Sequence, residues 1–179
     1  MEFTSHTQGR EAALIELFRS TFAASEGSAE GTLISNLVRK LLADTPAEDL
    51  IACLAEDQGE LLGACLFSRL SFAQDGRSVF LLAPVAVTHQ RQRTGIGQQM
   101  LNQGLELLRQ QGMDAVLTYG DPNFYQRVGF RPISSADVCP PLPLRQPQGW
   151  LGQSLTTQPL SQLKGPSHCV NALHDPAFW

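Results

Sequence analysis

Apolar residues recur with helical spacing in the first quarter of the chain. A stripe at three- and four-residue intervals predicts a helix from residue 9, and a short strand over residues 3–7 precedes it. Residues 23–31 are small and polar, so we expect a loop there. A second helix should end before Pro46, since proline disfavours helical geometry in the residue before it. The two predicted apolar faces are Leu14, Leu17, Phe18, Thr21 and Phe22, and then Leu33, Ile34, Leu37, Val38, Leu41 and Leu42.

Extended patterns fill the middle of the chain. Apolar runs at 50–55 and 61–70 are joined by a polar segment with a glycine, which predicts a hairpin. Asp75-Gly76 is a second hairpin signal and leads into the apolar run 79–87. We therefore expect three antiparallel strands, followed by a turn that contains glycine.

The second half begins with another helical pattern, over residues 95–111, with Gly112 as its C-cap. Residues 115–118 form a short apolar run that can lie parallel to 79–87 through a right-handed crossover. Asp121 and Pro122 suit the start of a helix that stops at Gly129, with an extended path over 130–133.

The last part of the chain has little pattern. Residues 134–168 form an irregular excursion, dense in Pro, Gln and Gly over 139–160, and fit either ordered irregular structure or a mobile loop. Residues 169–173 are a candidate last strand, and 174–179 a tail. No internal repeat or domain boundary is evident, so we expect one domain over residues 1–179.

Composition narrows the class of protein. At 179 residues, 42% hydrophobic and 17% charged, the chain matches a soluble globular protein. A net charge of −4 with scattered basic residues argues against nucleic acid as a partner. No apolar run reaches the roughly 20 residues that span a bilayer, and the first residues lack signal-peptide features. We expect a cytoplasmic protein with no membrane partner.

Four cysteines bear on redox state and metal binding. They show no Cys-x-x-Cys pairing and no histidine at metal-ligand spacing, and two of them sit in apolar runs. We expect reduced cysteines and no metal. The four are Cys53, Cys65, Cys139 and Cys169.

The turn after the 79–87 run carries the first candidate chemistry. It reads Gln92-Arg93-Thr94-Gly95-Ile96-Gly97, between a predicted strand and a predicted helix. Glycines allow close approach of a ligand, and the unpaired N–H groups and dipole of a helix start attract phosphate. The turn lacks the Gly-Lys-Ser/Thr of a P-loop and the third glycine of the dinucleotide pattern, because position 100 is methionine.

Two motifs together resemble the GNAT superfamily of N-acetyltransferases. Gln92 to Gly97 is similar to its Gln/Arg-x-x-Gly-x-Gly/Ala acetyl-CoA signature. Residues 120–130, Gly-Asp-Pro-Asn-Phe-Tyr-Gln-Arg-Val-Gly-Phe, look like the GDPxxYxRxGF segment of its bacterial YhbS-like branch. The two motifs cover roughly residues 79–132. The resemblance implies an α/β (α+β) GNAT fold: a mixed, mostly antiparallel sheet flanked by helices, with splayed parallel strands forming the acetyl-CoA cleft.

The resemblance also implies where acetyl-CoA binds. The pyrophosphate would meet the N–H groups of Arg93, Thr94, Gly95, Ile96, Gly97 and Gln98, with charge added by Arg91 and Arg93. Backbone groups of Val85, Ala86 and Val87 would lie at the thioester, with Pro84 as a candidate bulge that frees N–H groups. Asn123 is a candidate partner of the pantetheine arm.

Tyr125 is the residue that the resemblance places at the leaving thiolate. A phenol, with a pKa near 10, can hydrogen-bond or protonate a departing thiolate whose thiol titrates near 8.5. The alternative is that Tyr125 only anchors its helix to the core. The general base stays open among Glu26, Glu30, His89 and a water chain.

The predicted function is acetyl transfer from acetyl-CoA to the primary amine of a small molecule or a protein. One alternative is a transferase that uses a longer acyl-CoA. Another is a GNAT-fold sensor or interaction module that binds acyl-CoA without turnover, because fold alone does not decide function. Both a monomer and a homodimer are compatible with the sequence.

Overall fold

The computed structural model describes all 179 residues, from Met1 to Trp179. Its contacts group residues 1–67 with 84–104 into one compact unit, and 68–83 with 105–179 into a second. The expected single domain stays a prediction.

Four α-helices and eight strands make up the fold. The helices are α1 (Glu11–Glu26), α2 (Ser28–Asp44), α3 (Ile96–Gln110) and α4 (Pro122–Tyr125). The strands are β1 (Glu2–Thr4), β2 (Leu50–Asp57), β3 (Glu60–Phe72), β4 (Val79–Val87), β5 (Ala115–Tyr119), β6 (Arg131–Pro132), β7 (Trp150–Ser154) and β8 (Ser167–Cys169).

The strands form one open mixed sheet in the order β1-β2-β3-β4-β5-β7-β6, with β8 paired to β3. The pairs β1–β2, β3–β8, β5–β7 and β6–β7 are antiparallel, whereas β4 and β5 are parallel. The predicted mixed α/β class with helices beside a mostly antiparallel sheet is therefore confirmed.

The parallel register is short and has a polar contact at each end. It runs from Val79 opposite Ala115 to Leu82 opposite Thr118. The Ser78 N–H donates to the Asp114 carboxylate at 2.7 Å before the first pair, and the buried Thr118 hydroxyl donates to the Leu82 carbonyl at 2.9 Å in the last. These bonds fix which residues of the two strands face each other.

The predicted loop at residues 23–31 is wrong, because α1 runs to Glu26 and α2 begins at Ser28. Only Gly27 separates the helices. A Cβ added at Gly31 would lie 2.8 Å from the Ala23 Cβ and 2.5 Å from the Arg19 carbonyl oxygen. The small residues therefore allow close packing of the two helices, since a glycine facing an alanine admits a near approach.

The hairpin between β2 and β3 is confirmed, with Gln58 and Gly59 as a two-residue turn of left-handed backbone. The connection at Asp75-Gly76 differs from a two-residue turn, since β3 ends at Phe72 and β4 begins at Val79. Side-chain bonds hold this longer connection in place.

Arg77 is the centre of those bonds. Its guanidinium donates to both Asp75 carboxylate oxygens, at 2.9 and 2.8 Å, and also to the Ser161 hydroxyl and the Gln162 carbonyl. The Lys164 N–H donates to the same carboxylate at 3.2 Å. The guanidinium holds the pKa of Asp75 well below its usual range. The cluster ties residues 161–164 of the excursion to the connection between β3 and β4.

The excursion contains a strand that the sequence did not predict. β7 pairs with β5 from Ala115 opposite Ser154 to Tyr119 opposite Trp150, and β6 pairs with its other edge. Five residues with a central Gly-Gln carry too weak an alternation to predict a strand. Backbone pairing with β5, and not the local sequence pattern, accounts for the extended conformation of this segment.

The end of the chain also differs from expectation. The last strand covers Ser167–Cys169, and 171–173 form a 3-10 turn in place of the predicted strand. The predicted tail is packed, because Trp179 is only 3% exposed and its indole N–H donates to the Leu173 carbonyl at 2.9 Å.

All four cysteines are free thiols. Cys53 and Cys65 are buried, and burial raises the pKa of the Cys65 thiol. No group of three or more His, Cys, Asp or Glu side chains is arranged to hold a metal ion. None of the helices combines the length and apolar composition that crossing a membrane requires.

The Asp75–Arg77 pair yields a stability prediction. Asp75→Asn should lower the free energy of unfolding by about 2 kcal/mol at neutral pH, because it removes charge-assisted hydrogen bonds from a largely buried carboxylate. The folded-state pKa of Asp75 lies below its ordinary value of 3.8, so the ionised carboxylate stabilises the fold above that value. The difference in the free energy of unfolding between variant and wild type should vanish as pH falls through the folded-state pKa of Asp75. Urea unfolding at several pH values measures this free energy.

Glu106→Gln in the same unit is the matched control. The exposed ion pair between Glu106 and Arg109, at 3.7 Å, should contribute little to the free energy of unfolding. Equal losses in the two variants, or a loss in Asp75→Asn that persists at the lowest pH, would contradict this account.

Candidate functional site

The turn between β4 and α3 has an unusual backbone. Arg93 and Gly95 both adopt left-handed conformations, with φ of 61° and 88°. The Thr94 hydroxyl donates to the Arg91 carbonyl at 2.6 Å, and the Gln92 side-chain amide donates to the Val87 carbonyl at 3.1 Å. A left-handed arginine is uncommon and such backbone is often found at ligand sites. Side chains of the motif therefore hold the turn in shape.

The turn ends where α3 begins. The Gln99 N–H donates to the Gly95 carbonyl at 3.1 Å and closes the first turn of the helix. The N–H groups of Ile96, Gly97 and Gln98 precede that bond, so they have no acceptor within the helix. Ile96 is buried and anchors the helix start, while Gly97 and Gln98 are half-buried. This arrangement can accept a phosphate group.

The predicted thioester residues alternate along β4. The Thr88 N–H donates to the Leu62 carbonyl of β3, and the Ala86 carbonyl lies against Gly63 of β3. Because backbone groups alternate in direction along a strand, those of Val85 and Val87 point to the opposite edge of β4. Of the three predicted residues, Val85 and Val87 therefore present backbone groups away from β3. Pro84 lies within β4, and the bulge expected there stays a prediction.

Arg91 is exposed and lies near a carboxylate. Its guanidinium lies 3.7 Å from the Asp57 carboxylate, at the end of β2. The two residues line a polar cleft of about 570 Å³ whose other walls are Gln58, Glu60, Leu62, Thr88 and Gln90. Arg93 is exposed.

The second predicted element, α4, lies in the other unit. The Asp121 carboxylate accepts the Asn123 N–H at 2.9 Å, and Pro122 occupies the first turn, as expected. The helix proper has four residues and continues as a 3-10 turn to Val128, after which Gly129 is left-handed. Asn123 is exposed at the start of α4.

The Tyr125 ring is held by close packing. It makes edge-to-face contacts with Phe124 and Phe130, at centroid distances of 5.1 and 5.7 Å. A Cβ added at Gly120 would lie 2.7 Å from the Tyr125 Cε2 atom, so only glycine fits there without moving the ring. The ring is half-buried. Tyr125 therefore has a defined position, whether its role is catalytic or structural.

Gln153 is a supporting residue that the sequence did not reveal. Its side-chain amide donates to the Val128 carbonyl at 2.7 Å, and its carbonyl accepts from Arg109 at 3.2 Å. It lies on β7, the strand that the local pattern did not predict, so nothing in the sequence connected it with the 120–130 motif.

The three candidate bases occupy different positions in the first unit. Glu26 is the exposed last residue of α1, and Glu30 lies half-buried in the first turn of α2. His89 is exposed in a short 3-10 turn after β4. Their placement leaves all three open as candidates.

Sequence comparison identifies relatives of this chain. The sequence model of the family described as the acetyltransferase (GNAT) domain matches residues 48–132. The Escherichia coli K12 protein YjhQ, described as an uncharacterized N-acetyltransferase, is 34% identical over 142 residues, covering 76% of this chain and 78% of YjhQ.

Structural comparison gives the same result for the fold. The crystal structure of E. coli YhbS in complex with CoA superposes with a TM-score of 0.84 at 22% identity, covering 99% of this chain and 93% of YhbS. A Brucella melitensis GNAT acetyltransferase in complex with acetyl-CoA gives 0.74 at 22% identity, covering 96% of each chain. The matched domain, the similarity to YjhQ and the shared architecture show that the chain belongs to the GNAT family of acetyltransferases.

Proposed function

We propose that this protein is an N-acetyltransferase that moves an acetyl group from acetyl-CoA to a primary amine. The observation that carries the proposal is the turn at 92–97, whose left-handed Arg93 and Gly95 lead into the free N–H groups at the start of α3. Two structural neighbours were crystallised with CoA or acetyl-CoA, which supports the same ligand here. Acetyl-CoA supplies an activated thioester, and the protein supplies binding, orientation and proton transfer.

Binding of the pyrophosphate falls to backbone groups. The N–H groups of Ile96, Gly97 and Gln98 bear the partial positive charge of the helix start, which favours an anion. Arg93 adds a full charge from the turn. Arg91 serves less directly, because Asp57 already pairs with its guanidinium.

Polarisation of the thioester carbonyl falls to β4. Val85 and Val87 direct backbone groups away from β3, and an N–H aimed at a carbonyl oxygen stabilises the negative charge that develops there during attack. The Val87 carbonyl is already bonded to the Gln92 amide, so Val85 supplies the N–H and C=O that pair with the pantetheine arm. The small side chain of Ala86 leaves room for the thioester beside β4. The exposed side-chain amide of Asn123 can hydrogen-bond the pantetheine arm.

Proton transfer involves two sites. The Tyr125 hydroxyl protonates or hydrogen-bonds the departing thiolate, since a neutral phenol is a proton donor at neutral pH. The attacking amine loses its proton to Glu26, Glu30, His89 or a water chain. The amine attacks the carbonyl carbon, the carbon–sulfur bond breaks, and the products are an amide and CoA.

Activity is tested by an amine panel monitored through free thiol release from acetyl-CoA. The panel contains aminoglycosides, polyamines, free amino acids and peptides with a free N-terminus, and butyryl-CoA runs in parallel as a longer donor. We expect release that depends on one amine class and is faster with acetyl-CoA. Binding of acetyl-CoA by calorimetry without thiol release from any amine would contradict transferase activity and favour a sensor.

The glycine turn is tested by Gly97→Val. A branched side chain in the first turn of α3 should block approach of the pyrophosphate and weaken acetyl-CoA binding by about tenfold or more. Gln103→Val places the same side chain on the exposed face of α3 and controls for helix propensity. Calorimetry that finds equal affinities in the two variants would remove the turn from the site.

The role of Tyr125 is tested by Tyr125→Phe, which keeps the ring and its contacts with Phe124 and Phe130. Turnover should fall by about 10²-fold, because the proton donor is lost, while acetyl-CoA affinity stays near wild type. The loss should shrink for acyl donors whose leaving thiol has a lower pKa. Circular dichroism checks the fold, and full turnover in a folded variant would make Tyr125 a packing residue.

A further inference from the structure

The last residue of the chain is packed beside the strand that precedes the 120–130 motif. The Trp179 ring stacks on Tyr119, with a centroid distance of 6.2 Å and an angle of 12° between planes. It also meets Trp150 of β7 edge-to-face at 6.1 Å. With the bond from its indole N–H to the Leu173 carbonyl, Trp179 is held on three sides.

Tyr119 connects this aromatic cluster to the backbone of the motif. It is the last residue of β5, and Gly120 follows it directly. Its hydroxyl accepts the Gln146 N–H at 2.8 Å, which fixes the far end of the ring. A Cβ added at Gly149 would lie 3.2 Å from the Tyr119 Cε2 atom and 2.9 Å from the Gly120 carbonyl oxygen. The Tyr119 ring and the Gly120 carbonyl therefore both lie against Gly149, where a methyl group would not fit without a shift.

The same contact reaches Tyr125. The Gly120 N–H donates to the Gly149 carbonyl at 3.0 Å, so Gly120 is bonded to the segment that Tyr119 supports. On its other side, Gly120 lies against the Tyr125 ring, where an added Cβ would be 2.7 Å from Cε2. Because closely packed groups transmit a displacement to their neighbours, movement of the Tyr119 ring should move Gly120 and then Tyr125.

We propose that Trp179 is a positioning residue for Tyr125, acting through Tyr119 and the contact between Gly120 and Gly149. The inference rests on the proposed role of Tyr125 in the transfer. Trp179 touches no reacting group. It holds the ring that supports Gly120, and Gly120 fixes where the Tyr125 hydroxyl lies.

Tyrosine signals in NMR spectra test the inference without any substrate. The chain has two tyrosines, Tyr119 and Tyr125, so protein with ¹³C-labelled tyrosine rings gives two sets of signals that Tyr125→Phe assigns. Trp179→Ala should shift or broaden the signals of both rings. Gly120→Ala, which displaces Tyr125 directly, is the positive control. Leu163→Ala truncates another buried residue of the same unit and should leave the Tyr125 signals unchanged.

Kinetics supply the second readout, with acetyl-CoA and the most active amine of the panel. Trp179→Ala should lower kcat by about tenfold and leave KM for acetyl-CoA within about twofold. In a Tyr125→Phe background the same substitution should change kcat by less than about twofold, because the group it positions is already absent. Equal losses in the two backgrounds would overturn the inference.

Two further variants separate failure of the positioning role of Trp179 from failure of the proposed acid role of Tyr125. If Trp179→Ala does not fold, Trp179→Phe keeps an aromatic ring against Tyr119 and removes the bond to Leu173, and it should shift the Tyr125 signals to a smaller extent. Unchanged Tyr125 signals in a folded Trp179 variant would refute positioning, whatever Tyr125 does. Full turnover in Tyr125→Phe alone would instead refute the proposed acid, and the NMR result would still decide whether Trp179 fixes the ring.

Discussion

The four-residue parallel register between β4 and β5 is the interaction on which the second unit depends. Its residues are almost completely buried, and a polar bond closes it at each end, from Ser78 to Asp114 and from Thr118 to Leu82. A slip of one residue would turn every side chain of a strand to the other face. The register therefore sets which face of the sheet each β5 side chain occupies, and β5 leads directly into Gly120 and α4.

The segment after the 120–130 motif completes this arrangement. β7 pairs along the whole of β5, and Gln153 on it supports the end of the motif through the Val128 carbonyl. Arg77 joins residues 161–162 to the connection before β4. A stretch that looks irregular in the sequence is thus part of the support of the candidate site.

The proposed chemistry divides between backbone and side-chain groups. Backbone N–H groups of α3 and β4 would bind the cofactor, which requires little of side chains beyond room for the ligand and a stable turn. Tyr125 and the open set of candidate bases would handle protons, which requires particular side chains at particular places. The first requirement produces a short glycine motif, whereas the second depends on packing from several segments.

The sequence by itself determined the elements whose patterns are local. The amphipathic faces of α1, α2 and α3, the β2–β3 hairpin, the strand β4, the cap at Asp121 and the stop at Gly129 all follow from residues close in the chain. The motifs at 92–97 and 120–130 indicated the family for the same reason, since each is continuous.

Only the tertiary structure decided what depends on distant partners. Residues 23–31 have the composition of a loop, yet all of them except Gly27 are helical, and Gly31 packs closely on Ala23. Residues 150–154 have almost no strand pattern, yet pairing with β5 makes them one. Trp179 looks like the end of a tail, yet Tyr119 and Trp150 bury it. In each case the stabilising contact joins two different elements, so the hydrophobic pattern within one element does not reveal it.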